Sequence, residues 1–286
     1  YQVRANTIFN LRDWLRVGEN LTYSFGKNNN LSHSGTESNI YSWTYRACPY
    51  VPVYDSEGNY AGSKIAGTGN WQNPVAILER NKDNYYTTQR VFGNIYAEVD
   101  FMKGLTFKTN FGLDYRNDYY YAISKKNPEF SETTGQNSFS ENNYFNYRWV
   151  WTNTLNFNRT FNEKHAVTVL LGTEAIRDGL GRTLYGYRTN YLFEDNNNTY
   201  TLTMGENNAQ RNVTSSYNGE FALFGMFARA DYAYDNKYLF TGIVRRDGVS
   251  RFSESNRYGV FPSFSLGWRL SEEGFMVKTR DWLDDL

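Results

Sequence analysis

The side chains best suited to chemistry in this 286-residue sequence form two groups. Arg245, Arg246, Asp247, Arg251 and Arg257 crowd around Gly248. Guanidinium forks beside carboxylates either pin a loop as an ion-pair network or grip a ligand or a covering partner, and mutual pairing is the simpler of the two. The second group is aromatic: Tyr41, Trp43, Tyr45, Tyr50, Tyr54, Tyr60, Trp71, Tyr85 and Tyr86 stud one long polar stretch. Flat rings bury the apolar faces of sugars, and they also pack on one another. Trp43, Tyr45, Trp71, Tyr85, Tyr86, Arg245 and Arg251 are therefore the candidate ligand contacts.

Other motifs fail on spacing. His33 and His165 are too few and too far apart to hold a metal. Asp55-Ser56-Glu57-Gly58-Asn59 lacks the later bidentate Glu of a calcium loop and reads as a hairpin turn. Gly67-Thr68-Gly69 follows no strand and opens no helix, so it does not cradle a nucleotide. The single Cys48 offers no disulfide and has no base placed to activate it. No Ser/His/Asp or Cys/His set is present, so neither catalysis nor a cofactor is expected.

The elements that must carry these residues show a period of two. Val91, Gly93, Ile95, Ala97, Val99 and Phe101 alternate with Phe92, Asn94, Tyr96, Glu98 and Asp100, giving a strand with one apolar and one polar face. Lys103-Gly104 turns the chain into Leu105, Phe107, Thr109, Phe111, Leu113 and Tyr115. Similar hairpins run from Val3 to Leu11 and Leu15 to Phe25, from Tyr147 to Asn158 and Ala166 to Glu174, and from Phe221 to Tyr234 and Tyr238 to Arg246. Glu19 interrupts the apolar set of its strand. A ninth strand spans Tyr258 to Leu270. Short turns alternate with long connections over Lys27 to Thr88, Ala122 to Asn146, Arg177 to Gly219 and Val249 to Arg257.

Composition narrows the reading. Aromatics make up 18 % of residues and Lys plus Arg balance Asp plus Glu at 30 each, which excludes a disordered chain and an electrostatic nucleic-acid binder. No apolar run approaches the roughly 20 residues of a spanning helix. A soluble sandwich also alternates, but its strands average about 5 to 6 residues, whereas these run about 9 to 14, the length that crosses a bilayer at a tilt. Aromatics gather near strand ends, at Tyr23, Phe25, Tyr115, Tyr119, Tyr120, Tyr121, Tyr232, Tyr234 and Trp268, as in an interfacial girdle. Charges such as Arg4, Glu98, Lys108, Asp114 and Asp231 occupy the opposite face, which suits a wet lumen. The fold expected is all-β, an antiparallel transmembrane barrel with long loops on one end. Nine is odd where bacterial single-chain barrels are even, so residues 1–286 are expected to be one arc of a larger barrel, trimmed at both ends.

The stretch from Phe227-Ala228-Arg229-Ala230-Asp231-Tyr232 through Lys237-Tyr238-Leu239, then Arg245-Arg246-Asp247-Gly248-Val249-Ser250-Arg251-Phe252 and Arg257-Tyr258-Gly259-Val260-Phe261-Pro262-Ser263, resembles the mid-barrel series of the SusC/RagA family of TonB-linked outer-membrane proteins. Val249 stands where that family usually has Ser, and Val260 where it has an aromatic. Pro52-Val53-Tyr54-Asp55 and Asn73-Pro74-Val75-Ala76 are similar to its long first-half loop. The resemblance implies a barrel of about 22 strands filled by an N-terminal plug. It implies import of oligosaccharides or peptides under a SusD-like surface lipoprotein, powered by the TonB complex, in the outer membrane of a Bacteroidetes-like bacterium. The plug and the remaining strands have no counterpart in these residues. The alternative is a surface β-protein that does not transport, such as an adhesin or a glycan-binding module.

Overall fold

The computed structural model of the chain describes residues 1–29, 39–192, 200–204 and 211–279; His33 and the terminal run from Trp282 to Leu286 lie outside them. Ten strands form one antiparallel sheet: β1 (Gln2–Arg12), β2 (Leu15–Asn28), β3 (Tyr85–Met102), β4 (Leu105–Ser124), β5 (Ser138–Phe161), β6 (His165–Thr189), β7 (Arg211–Tyr217), β8 (Phe221–Tyr234), β9 (Tyr238–Val249) and β10 (Tyr258–Trp268). Nine follow one another across the sheet, and β7 pairs only with β6. β1 and β10 each have a neighbour on one side alone among the described residues.

The short turns form where left-handed backbone is cheap. Gly104 has φ 87° between β3 and β4. Asn162 and Glu163 (φ 50° and 60°) and Asp235 and Asn236 (φ 50° and 56°) supply the paired positive angles of a type I′ turn, whose twist matches the flanking strands.

The strands outrun the alternation that reveals them. β4 continues to Ser124, β5 begins at Ser138 and β6 reaches Thr189, so much of the expected loops over Ala122 to Asn146 and Arg177 to Gly219 is sheet. Here both faces carry Asn, Tyr, Ser and Gly, because neither faces hydrocarbon, and the period-two signal fades while ladder bonds persist. β7 was not expected for the same reason: Arg211-Asn212-Val213-Thr214-Ser215-Ser216-Tyr217 is exposed throughout. β6 thus serves two partners in succession, β8 up to Asp178 and β7 from Arg182. Gly179 (φ 73°) lies between them, at a bulge opposite Tyr147–Trp149.

Two faces of contrasting chemistry result. On one, Leu15, Val99, Phe107, Leu155, Leu171, Ala228, Val244 and Pro262 lie directly opposite one another across eight strands. Among the described residues nothing packs over this face along β2 to β4: Ile95 is 62 % exposed, and Val91, Ile95, Leu21, Phe111 and Leu113 share a shallow apolar surface. The other face carries most of the charges.

The buried clusters sit at the long-loop end. Phe139, fully buried, meets Tyr121 at 4.8 Å between ring centres, and Tyr191 and Tyr200 at 6.1 Å each, with Ile123 in the same cluster. The second cluster, Trp43, Trp71 and Phe130, belongs to a small cap built by α1 (Ile40–Arg46), α2 (Pro74–Asn81) and the turn after β4. Asn73 caps α2 by accepting from the amides of Val75 and Ala76, with Pro74 at the first turn where a missing N–H costs nothing.

Candidate functional site

Strand alternation aims most charged residues of β2 to β10 at one face, leaving others such as Glu19, Arg159 and Arg246 on the opposite one, and cross-strand register sets their partners. Arg16, Glu98 and Lys108 lie in one row of β2, β3 and β4. Arg16 bonds Glu98 at 3.1 Å and Asp100 at 2.7 Å, Lys108 bonds Glu98 at 2.9 Å, and the Thr106 hydroxyl donates to Asp100 at 2.6 Å. Arg90 forks onto Asp114 at 2.8 and 2.7 Å. Arg229 does the same with Asp231, at 2.7 and 2.9 Å. An amide relay runs from Asn20 to Asn94 to Asn110. Such half-exposed networks add little stability but hold many polar groups toward water on one side.

The apolar face ends in a belt at the short-turn end. Phe161, His165, Tyr234, Tyr238 and Trp268 lie opposite one another on five strands, with neighbouring rings 5.0 Å apart for His165–Tyr234 and 6.3 Å for both Tyr234–Tyr238 and Tyr238–Trp268. About ten residues higher, Trp149 and Trp151 of β5 and Phe111 of β4 mark a second belt.

No protein-family model matches the chain. The TonB-dependent receptor P39 of Formosa agariphila is 31% identical over 271 residues, which is 94% of this chain and 24% of that protein. The TonB-dependent receptor SusC of Bacteroides thetaiotaomicron is 32% identical over 258 residues, 83% of this chain and 24% of that protein. The solved structure of the RagAB peptide transporter superposes with a TM-score of 0.75 at 22% identity, covering 100% of this chain and 31% of the matched one. The chain belongs to the SusC/RagA family of TonB-dependent receptors.

It spans about a quarter of the length of these curated relatives. As an outer-membrane barrel segment of that family, its apolar face is the lipid face, its charged face the lumen, and its long-loop end extracellular. The aromatic belts at Tyr234, Tyr238 and Trp268 and at Trp149 and Trp151 are the girdles expected of it. Tyr119 and Tyr121, expected in the girdle, instead lie above it on the extended strand, where Tyr121 is 7 % exposed within the Phe139 cluster. Burial first, then the Glu141 carboxylate that accepts its hydroxyl at 2.6 Å, pushes the Tyr119 phenol far up; burial pushes Tyr191 up to about 12.

The receptor's candidate ligand contacts separate in space. Trp43 (6 % exposed) and Trp71 (3 %) are the core of the cap, where Trp43 meets Phe130 edge-on at 5.9 Å and Trp71 Nε1 donates to the Thr68 carbonyl. Tyr45 is 92 % exposed on α1. Tyr85 faces outward, stacked 5.1 Å from Tyr121 under Lys27, while Tyr86 faces the lumen side and its hydroxyl accepts from Arg116. The arginine cluster is split by the same alternation, since β9 runs through Gly248 with no turn. Arg245 reaches Asp247 and Glu174 across the lumen face at 2.8 Å each. Arg246 points the opposite way, over the Tyr258 ring, and Arg251 stands over Phe221. Asp55 is the hairpin turn expected: its carboxylate accepts from the amides of Glu57 and Asn59, and Tyr54 bridges to Tyr60.

Sequence reading missed the cap's polar frame. Arg80 forks onto Glu129 at 2.5 and 2.9 Å, and Glu129 is 8 % exposed. Asn73 ties the cap together by donating to the carbonyls of Val53 and Ala61. The Asn73-Pro74 pair was the available signal, as a helix start.

Proposed function

We propose that these residues are wall and extracellular loops of a TonB-dependent transporter that imports oligosaccharides or peptides. The observation that carries this reading is the division of one continuous sheet into a bare apolar face bounded by aromatic belts and a lumen face of charge networks. A wall of that kind encloses a wet pore in a bilayer. The N-terminal plug and the remaining barrel strands lie outside residues 1–286, and the plug is where the TonB complex would pull. A SusD-like surface lipoprotein would cover the extracellular end, above Tyr45 and the cap. Tyr45, Tyr86 and Arg251, which the cap core does not consume, remain the ligand contacts of choice on this segment.

The reading is tested by deleting the whole gene in frame. Growth on one polymeric nutrient should stop, while its monomer still supports growth, and the complemented strain should recover. Unimpaired growth on every oligomeric glycan and peptide supplied would overturn it. A non-transporting surface protein would instead leave growth intact and change adhesion.

A further inference from the structure

The two faces of the sheet treat their cations differently. On the lumen face Arg16, Arg90, Lys108, Arg229 and Arg245 each meet a carboxylate. On the outward face, toward the extracellular end, three cations meet aromatic rings instead. Lys27 of β2 lies 4.5 Å from the centre of the Tyr85 ring. Arg182 of β6 lies 4.4 Å from that of Tyr217, whose hydroxyl also accepts from it. Arg246 of β9 lies 4.3 Å from that of Tyr258. None of the three has a carboxylate partner among the described residues. Arg177, on the same face, is paired with Glu220 and is not counted with them.

Register fixes the side and the level of each. Lys27 shares the parity of Leu15 and follows Tyr23 and Phe25 at the top of β2. Arg182 lies opposite Phe145, which shares the parity of Leu155, and it stands above Arg177, the partner of Trp149 in the upper belt. Arg246 lies opposite Met226 and Val260 and reaches upward to Tyr258, the uppermost residue of β10.

A ring face attracts a cation without cancelling its charge. The N–H groups turned away from the ring keep their capacity for a charge-assisted bond to phosphate. Uncancelled positive charge at the upper edge of a lipid face is complementary to anionic headgroups. The three posts stand at different levels, Arg246 at the upper belt and Arg182 beyond it. A phosphorylated saccharide headgroup spreads its charge over such a depth, whereas a phospholipid sets its phosphate in one plane. We propose that Lys27, Arg182 and Arg246 each dock a phosphate of lipid A-type glycolipid in the outer leaflet, holding a shell of lipid against the extracellular rim of the wall. This docking depends on the outward face being the lipid face, and not on what the pore imports.

The test uses the whole receptor, purified in detergent and stripped of lipid. It is titrated with mixed micelles containing lipid A, the same lipid A with its phosphates removed, or phosphatidylglycerol. Lys27→Gln, Arg182→Gln and Arg246→Gln are made singly and together, and Arg90→Gln on the lumen face controls for net charge. The gel mobility of unheated samples reports folding, and the single variants cover the case in which the triple variant does not assemble. Lipid A should bind the unaltered receptor more tightly than either other lipid. The triple variant should raise its apparent Kd about fivefold at low salt, each post losing the worth of one charge near a lipid surface. Each single variant should show part of that loss, and added salt should shrink it. Unchanged affinity in the folded variants, an equal loss in Arg90→Gln, or equal affinity for lipid A without phosphates would each overturn the proposal. Phosphatidylglycerol held as tightly, with the same losses, would overturn the assignment to a glycolipid.

Discussion

Leu155 and Thr152 lie three residues apart on β5 and face opposite sides. Leu155 is directly opposite Phe107 and Leu171, midway between the Trp149 and Phe161 levels, so it sits near the middle of the hydrocarbon. Thr152 is opposite Asn110 and Glu174 on the lumen face. An arginine on the lipid face of a barrel costs about 2–4 kcal/mol at the midplane. Leu155→Arg should therefore shift the folding equilibrium by about thirtyfold to several hundredfold. Thr152→Arg enters water beside a carboxylate and should change stability by no more than about 0.5 kcal/mol. The assay is refolding of the whole receptor into lipid vesicles across a urea series, with the folded fraction read from the mobility of unheated samples on a gel. Equal midpoints for the two variants, or a larger loss for Thr152→Arg, would refute the assignment of faces.

Three further outcomes follow from the extracellular end. Phe139→Ala empties the centre of the aromatic cluster and should cost about 3–5 kcal/mol locally, read as faster amide exchange over 138–140 and 186–191 with the transmembrane ladders unchanged. Arg80→Ala strands a buried Glu129 carboxylate and should cost about 3–5 kcal/mol of cap stability, seen as protease cleavage in the 125–137 turn. Arg80→Leu with Glu129→Leu should recover most of it. Tyr119 and Tyr191 hold their protons more tightly when folded. Their contribution to stability should be complete below the ordinary tyrosine value of about 10; that of Tyr191 should fall as pH rises through about 12, and that of Tyr119 at higher pH still. Tyrosinate absorbance, with Tyr119→Phe and Tyr191→Phe assigning the signals, should show both phenols titrating above the ordinary value of about 10.

The transmembrane half of each strand was legible because hydrocarbon on one side and water on the other force the alternation seen from Val91 to Phe101. Turn chemistry did the same at Gly104 and Asp235-Asn236. The extracellular half was not. Above the membrane β6 carries Leu180-Gly181-Arg182-Thr183-Leu184-Tyr185 with no sided pattern, and pairing there is held by backbone bonds to β5 and β7. Trp43 and Trp71 could not be sorted from Tyr45 by composition, since burial in the cap depends on Phe130, far along the chain. Arg245 and Arg246 look like one cluster only until alternation sends them to opposite sides of the sheet.

β1 and β10 carry a consequence for biogenesis. Among the described residues each leaves a row of amide and carbonyl groups without a strand partner along one margin. In water such margins recruit further strands with no rule for stopping, so this segment released by itself should grow into fibrillar aggregates. In the bilayer the same unpaired groups would cost several kcal/mol each. Both margins must therefore be covered by further strands wherever the sheet meets hydrocarbon.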